Sequence, residues 1–188
     1  MTTDVRLEPL VVDRDLALLH AWVTHPRSVF WQMQHATADE VAAEYAAIAA
    51  SPHHHAWLGR VGGVPAFLAE TYDPARSGMA GLVDLPDLRP LIQPGDLGMH
   101  VLVAPTDTPV PGFTRRVFRA VMAHCFADPA VRRVVVEPDV RNERIAVLNA
   151  EAGFVVDRVV DLPGKQAALS FCTREAWTSS PLHQEECP

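Results

Sequence analysis

Between Gly95 and Phe154 the chain passes twice from strand-like to helix-like patterning, and this alternation limits the possible folds more than any other feature. Gly95-Asp96-Leu97-Gly98-Met99-His100 leads into apolar Val101-Leu102-Val103, and Ala104-Pro105 then breaks the strand. Beyond a Pro-rich loop, Phe113, Val117, Val121 and Cys125 recur at helical spacing with Phe118, Met122 and Phe126 beside them. That stripe is wide enough to cover a sheet. Arg132 to Val136 is a short strand of the buried type, stopped by Glu137-Pro138-Asp139-Val140-Arg141-Asn142. Asn142 is placed to cap the next helix, which turns Ile145, Leu148 and Ala152 inward and ends at a left-handed Gly153. One His and one Asp therefore stand at the ends of neighbouring strands.

The rest of the chain supplies strands and helices to complete the sheet. Val5 to Leu10 alternates weakly, and Asp13 can cap a helix carrying Leu16, Leu19 and Val23 on one face before Pro26. Arg27 to His35 is irregular. Thr37-Ala38-Asp39-Glu40 has capping-box spacing, ahead of Val41, Tyr45 and Ile48 at helical intervals. Trp57 to Val61, Gly62-Gly63 and Val64 to Tyr72 form a predicted hairpin. Asp73 to Pro94 is expected to be a long loop with at most a short helix, and such loops are usually functional. Phe154 to Val160 and Ala167 to Cys172 are the last strands, with a turn at Asp161-Leu162-Pro163-Gly164. The predicted architecture is α/β (α+β): a mixed, mostly antiparallel sheet flanked by helices. Neither a Walker nor a G-x-G-x-x-G pattern occurs.

The length of 188 residues suits one domain, expected over residues 1–177, with 178–188 as a mobile tail. A net charge of −7 argues against non-specific nucleic-acid binding, which needs a basic face. No apolar run approaches the ~20 residues that span a bilayer, and Met1-Thr2-Thr3-Asp4 does not start a signal peptide. Cys125, Cys172 and Cys187 are sparse and odd in number, so a reducing cytoplasm is the expected setting, with no disulfide framework and no zinc site. His53-His54-His55 is read as a solvated loop, because adjacent strand residues alternate faces and rarely converge on one ion.

The order of elements, with Ala152-Gly153-Phe154 closing a helix that Asn142 opens, resembles the GNAT superfamily of acyl-CoA-dependent N-acyltransferases. Several runs are similar to a narrower group, the siderophore-biosynthesis acyltransferases. They are Gly95-Asp96-x-Gly98-x-His100, Glu137-Pro138-Asp139-Val140-Arg141-Asn142, Leu162-Pro163-x-Lys165-x-Ala167-x-Leu169, Phe30-Trp31-x-Met33 and Ala69-Glu70-x-Tyr72-Asp73. The compact length and Ser170-Phe171-Cys172-Thr173-Arg174-Glu175 look most like the desferrioxamine-type branch, which acylates N-hydroxycadaverine. One departure matters. Most GNAT proteins carry Arg/Gln-x-x-Gly-x-Gly/Ala at the pyrophosphate-binding helix, whereas Pro109-Val110-Pro111-Gly112-Phe113-Thr114 keeps only Gly112.

The resemblance implies a splay between strands 97–103 and 132–136, into which the thioester enters. Bare amides at a helix N-terminus attract phosphate. By that resemblance the strand amides near Val101 pair with the thioester carbonyl as oxyanion donor, and Val101, Val103, Gly112, Phe113, Thr114, Arg115 and Asn142 are expected to meet acetyl-CoA or succinyl-CoA; Arg115 and Arg116 equally suit a solvated helix face. His100 and Asp139 are the implied catalytic pair, with the choice of base open. Trp31 is expected to wall the acceptor side, Glu70 or Asp73 to receive a distal substrate ammonium, and Lys165 to pair with Asp139 or a CoA phosphate, or to be a turn lysine. The implied activity is hydroxamate formation on an N-hydroxylated diamine or N-hydroxylysine, without a metal, by a monomer or homodimer. Two alternatives stand beside it: N-acetylation of a primary amine on lysine, an aminoglycoside or a protein N-terminus, and non-catalytic acyl-CoA sensing.

Overall fold

The computed structural model describes residues 4–77 and 85–184. Its strands are β1 (Val5–Pro9), β2 (His54–Val61), β3 (Val64–Tyr72), β4 (Asp96–Val103), β5 (Arg133–Val136), β6 (Val155–Leu162) and β7 (Lys165–Thr173). Its helices are α1 (Val12–Val23), α2 (Ala38–Ala50), α3 (Phe113–Cys125), α4 (Glu143–Glu151), α5 (Arg174–Thr178) and α6 (Pro181–Gln184), with 3-10 turns at Pro26–Trp31 and Arg89–Leu91. The strands join in one sheet, ordered β1-β2-β3-β4-β5-β7-β6. Every neighbouring pair is antiparallel except β4 and β5. The expected mixed, mostly antiparallel sheet flanked by helices is thus the observed one.

Side-chain alternation gives the sheet two apolar faces. On one, Phe67, Ala69, Met99, Val134, Val136 and Cys172 pack against the stripe Val117, Phe118, Val121, Met122 and Cys125 of α3. On the other, Leu58 and Leu68 meet Leu19 and Val23 of α1 and Val41, Tyr45 and Ile48 of α2. Further along that second face, Tyr72, Val135, Ala167 and Leu169 pack with Leu88 from the segment before β4.

The local start and stop signals explain the element ends. Thr37 and Glu40 form the full capping box of α2. Replacing Thr37 by Ala removes an acceptor for an otherwise bare N–H; a loss of about 1 kcal/mol in urea unfolding is expected. Gly62 and Gly63 take φ of 59° and 83° in the hairpin turn, and Gly153 takes 90° where α4 ends.

Three expectations need correction. Asp13 does not cap α1: the helix begins at Val12, and it is the Asp15 carboxylate that accepts from the Val11 N–H. The histidine triple is not a solvated loop, because β2 extends back to His54, which is buried while His55 is exposed. The region from Asp73 to Pro94 carries the one short helix expected of it, Arg89–Leu91, beside a buried Leu88; its residues 78–84 lie outside the described residues. The tail is packed as far as Gln184: Leu182 of α6 is fully buried in the α3-side core. Among the described residues, no helix is long and apolar enough to cross a membrane.

Candidate active site

β4 and β5 are parallel neighbours for only three residue pairs, Asp96–Gly98 against Arg133–Val135. The junction is closed at its start by the Gly95 carbonyl, which accepts from the Arg132 and Arg133 amides, and by a two-pronged Arg133–Asp96 pair at 2.7 and 2.8 Å. Asp96 is thereby a structural anchor. Past Gly98 the strands part, as β5 and the residues after it follow β7: the Ala168 N–H bonds the Pro138 carbonyl and Asp139 bridges to Ala167.

The direction of the β4 backbone follows from its register. Ala104 N–H bonds the Ala66 carbonyl, and Val103 stands opposite Phe67. Hydrogen-bonded and non-bonded pairs alternate in an antiparallel ladder. The even-numbered residues of β4 therefore bond β3, and Met99, Val101 and Val103 direct their N–H and C=O groups to the β5 side. At Val101 and Val103, beyond the last β4–β5 pair, those groups face the parted strands.

On the face shared with α2, His100 is held at both ring nitrogens. Its Nε2 lies 2.5 Å from Glu137 Oε1, and its Nδ1 lies 3.3 Å from Glu70 Oε2. Tyr72 donates to Glu137 Oε2 at 2.9 Å, and Tyr45 donates to Glu70 Oε1 at 2.7 Å. Both carboxylates are 1% exposed, whereas the His100 side chain retains 24% exposure. Burial by itself would lower the imidazole, but the charges and hydrogen bonds of Glu137 and Glu70 overcome it and raise His100 to about 10. Burial would likewise raise Glu70, yet His100 and His54 bring it down to about 2. Glu137 is lowered by His100 and Lys165 against the same burial. His100 is thus an imidazolium clamped between two buried carboxylates.

The expected His100–Asp139 contact is absent among the described residues. The Asp139 carboxylate is gripped by Arg141 through Nε at 2.9 and 3.2 Å and Nη2 at 2.6 Å, and also accepts the Arg141 N–H. That guanidinium holds Asp139 at about 2. Glu137, two residues earlier, occupies the position by His100 that Asp139 was expected to fill. Glu70 also departs from expectation: it stands across the β3–β4 ladder from His100, with its oxygens on the Tyr45 hydroxyl and the imidazole, in place of a substrate ammonium. Asp73 caps its own turn through the Ala75 N–H and pairs with Arg76. Lys165 donates to the Glu137 carbonyl at 2.6 Å and lies 3.8 Å from Glu137 Oε1, rather than pairing with Asp139. Trp31 stands edge-on to His100, with ring centroids 6.1 Å apart, and its Nε1 donates to Tyr45 Oη.

On the cofactor side, Gly112 is the left-handed residue before α3, at φ 75°, and has no side chain to cap it. Phe113 opens the helix beneath the Arg116 guanidinium, Thr114 is exposed, and Arg115 pairs with Glu151. Asn142 is spent as the cap of α4, accepting from the Ile145 N–H. Among the described residues, no three His, Cys, Asp or Glu side chains are placed to share a metal ion.

Glu137, Tyr72, Tyr45 and His54 had escaped the sequence reading. The signal for Glu137 was parity: on an extended chain it shares a face with Asp139.

The chain is 26% identical to the N-hydroxyputrescine acetyltransferase of Acinetobacter baumannii, over 92% of this chain and 79% of that protein. It is 25% identical to the aminoglycoside N(6')-acetyltransferase type 1 of Klebsiella pneumoniae, over 89% and 83%. The solved aminoglycoside acetyltransferase AAC(6')-Ib, in complex with coenzyme A, superposes with a TM-score of 0.77 at 25% identity, covering 92% of this chain and 96% of that one. Residues 11–162 match the acetyltransferase (GNAT) domain model. That match spans most of the sheet and both strands that part beside His100, so the chain belongs to the GNAT acetyltransferase family and is an acyltransferase.

Proposed function

We propose that the protein transfers an acyl group from acetyl-CoA or succinyl-CoA to the hydroxylated nitrogen of an N-hydroxydiamine or N-hydroxylysine, forming a hydroxamate arm of a siderophore. The observation that carries this reading is the state of His100. An imidazolium already compensated by two carboxylates does not deprotonate a primary ammonium, but it suits a nucleophile that arrives neutral. N-hydroxylamines are weakly basic and are neutral near pH 7. The relative that acetylates N-hydroxyputrescine supports the same acceptor class.

The thioester lies between the parted strands, its carbonyl oxygen toward the N–H groups of Val101 and Val103, which serve as oxyanion donors. The neutral nitrogen attacks the carbonyl carbon. As the C–N bond forms, the nitrogen loses its proton to the His100–Glu137 pair. The C–S bond then breaks, and the proton ends on the coenzyme A thiolate. Trp31 walls the acceptor, and Gly112, Phe113 and Thr114 present the α3 N-terminus to the diphosphate, beside Arg115. In this scheme Asp139 shapes the turn with Arg141 and is not the base; the base is Glu137.

A second reading, acylation of a primary amine such as an aminoglycoside, is favoured by relatives of similar identity. A coenzyme A release assay separates the two. With N-hydroxycadaverine, kcat/KM is expected to stay level from pH 6.5 to 9 and to fall as His100 loses its proton near 10. With cadaverine it is expected to be far lower and to climb over the same interval as the free amine grows. Equal rates for the two at pH 7.5 would replace the hydroxamate reading by the primary-amine one.

A further inference from the structure

We propose that Glu70 is a positioning residue, a second counter-ion that grips His100 at Nδ1 while Glu137, on Nε2 beside the parting strands, gains and loses a proton. The inference rests on the reading of the site above, and assigns Glu70 a task other than contact with the acceptor.

The geometry sets the two carboxylates apart. Both are buried, but Glu137 shares its oxygens between His100 and Tyr72 at the end of β5 where the strands part. Glu70 lies within β3, two residues before its end and directly opposite His100 in the ladder. Its Oε1 is fixed by Tyr45 from α2. Its Oε2 faces His100 Nδ1 and, 3.6 Å away, the buried His54 Nε2 from β2, an atom that has no hydrogen-bond partner among the described residues. The ionisable groups around His100 are thus Glu70 and Tyr72 from β3, His54 from β2, Tyr45 from α2, and Glu137 and Lys165 from beyond β5 and the start of β7.

When Glu137 takes the nitrogen's proton, its negative charge disappears beside an imidazolium. A buried ion left without compensation is costly. Glu70 remains ionised and keeps His100 charged through that step, so the proton returns from Glu137 to the departing sulfur rather than being lost from the ring. Tyr45 also receives the Trp31 Nε1–H at 3.3 Å, so the segment beside the acceptor is joined to this support.

The test follows the His100 ring by NMR titration in the full-length protein, alongside kcat and KM for N-hydroxycadaverine. In Glu70→Gln the ring midpoint, raised to about 10 in the parent, is expected to drop by about one unit or more. The high-pH limb of kcat should move with it, and kcat at pH 7.5 should fall about tenfold while KM changes less than about threefold. Glu70→Asp, which keeps the charge, should restore most of the midpoint. An unmoved midpoint in folded Glu70→Gln would reduce Glu70 to a packing group, and a raised KM at constant kcat would return it to the acceptor. If Glu70→Gln fails to fold, Tyr45→Phe, which frees the Glu70 oxygen it holds, carries the test: a shifted midpoint supports the proposal and an unchanged one overturns it. The midpoint requires no acceptor, so a wrong choice of substrate and a wrong role for Glu70 give different results.

Discussion

Glu137→Gln is expected to lower kcat for hydroxamate formation by about 10²- to 10³-fold, whereas Asp139→Asn should stay within about tenfold of the parent. The difference comes from what each carboxylate touches. Glu137 contacts Nε2 of the largely buried His100, takes the Tyr72 hydroxyl on its other oxygen and is flanked by Lys165. Gln at that position keeps the shape but cannot accept the proton. Asp139 spends its charge on Arg141, and its loss disturbs the turn that leads into α4 rather than the reacting atoms. Steady-state kinetics with N-hydroxycadaverine at pH 7.5, at saturating acetyl-CoA, checks both variants in one series. Equal losses, or a larger loss for Asp139→Asn, would return the base to Asp139. The pH dependence has a definite sign. Glu137 sits below the ordinary carboxylate value, so the ionised pair persists through the acid side of neutrality, and activity is lost only as pH falls through that lowered value.

Gly98→Ala should have the second-largest effect, and it acts through space rather than charge. A Cβ at Gly98 would lie 2.1 Å from Cε2 and 2.3 Å from Cζ of Tyr72. Tyr72 stands directly across the ladder, is 1% exposed, and holds Glu137 through its hydroxyl. The ring has no room to retreat, so overpacking should cost about 1–3 kcal/mol, or roughly 2–10 °C in Tm for a chain of this size. The folded fraction should still lose about tenfold in kcat, since the displaced hydroxyl no longer reaches Glu137. Adding Tyr72→Leu makes space for the new methyl. The double variant is expected to regain part of the Tm and none of the kcat. Recovery of both together would show that Tyr72 only fills volume.

The order of elements along the chain and the helix faces were readable because apolar spacing and end signals agree: the Thr37–Glu40 box, the Gly62-Gly63 turn and the Gly153 stop all appear where expected. The site was readable as residue types but not as partners. The run from Glu137 to Asn142 offers two carboxylates two residues apart, and which one meets His100 depends on a side-chain bond between Asp139 and Arg141 that no periodicity reports. His54 was hidden in a polar triple, although counting back across the hairpin from Tyr72 reaches it. Leu182 is one apolar side chain in a polar segment, and only the surface of α3 shows why it is buried.

The short parallel junction between β4 and β5 has a consequence for selectivity. Three rungs, one shared carbonyl and one buried arginine–aspartate fork set the aperture at its apex. Loosening that fork, as in Asp96→Asn, is therefore expected to change how far the strands part, and a shifted preference between acetyl-CoA and succinyl-CoA would report it.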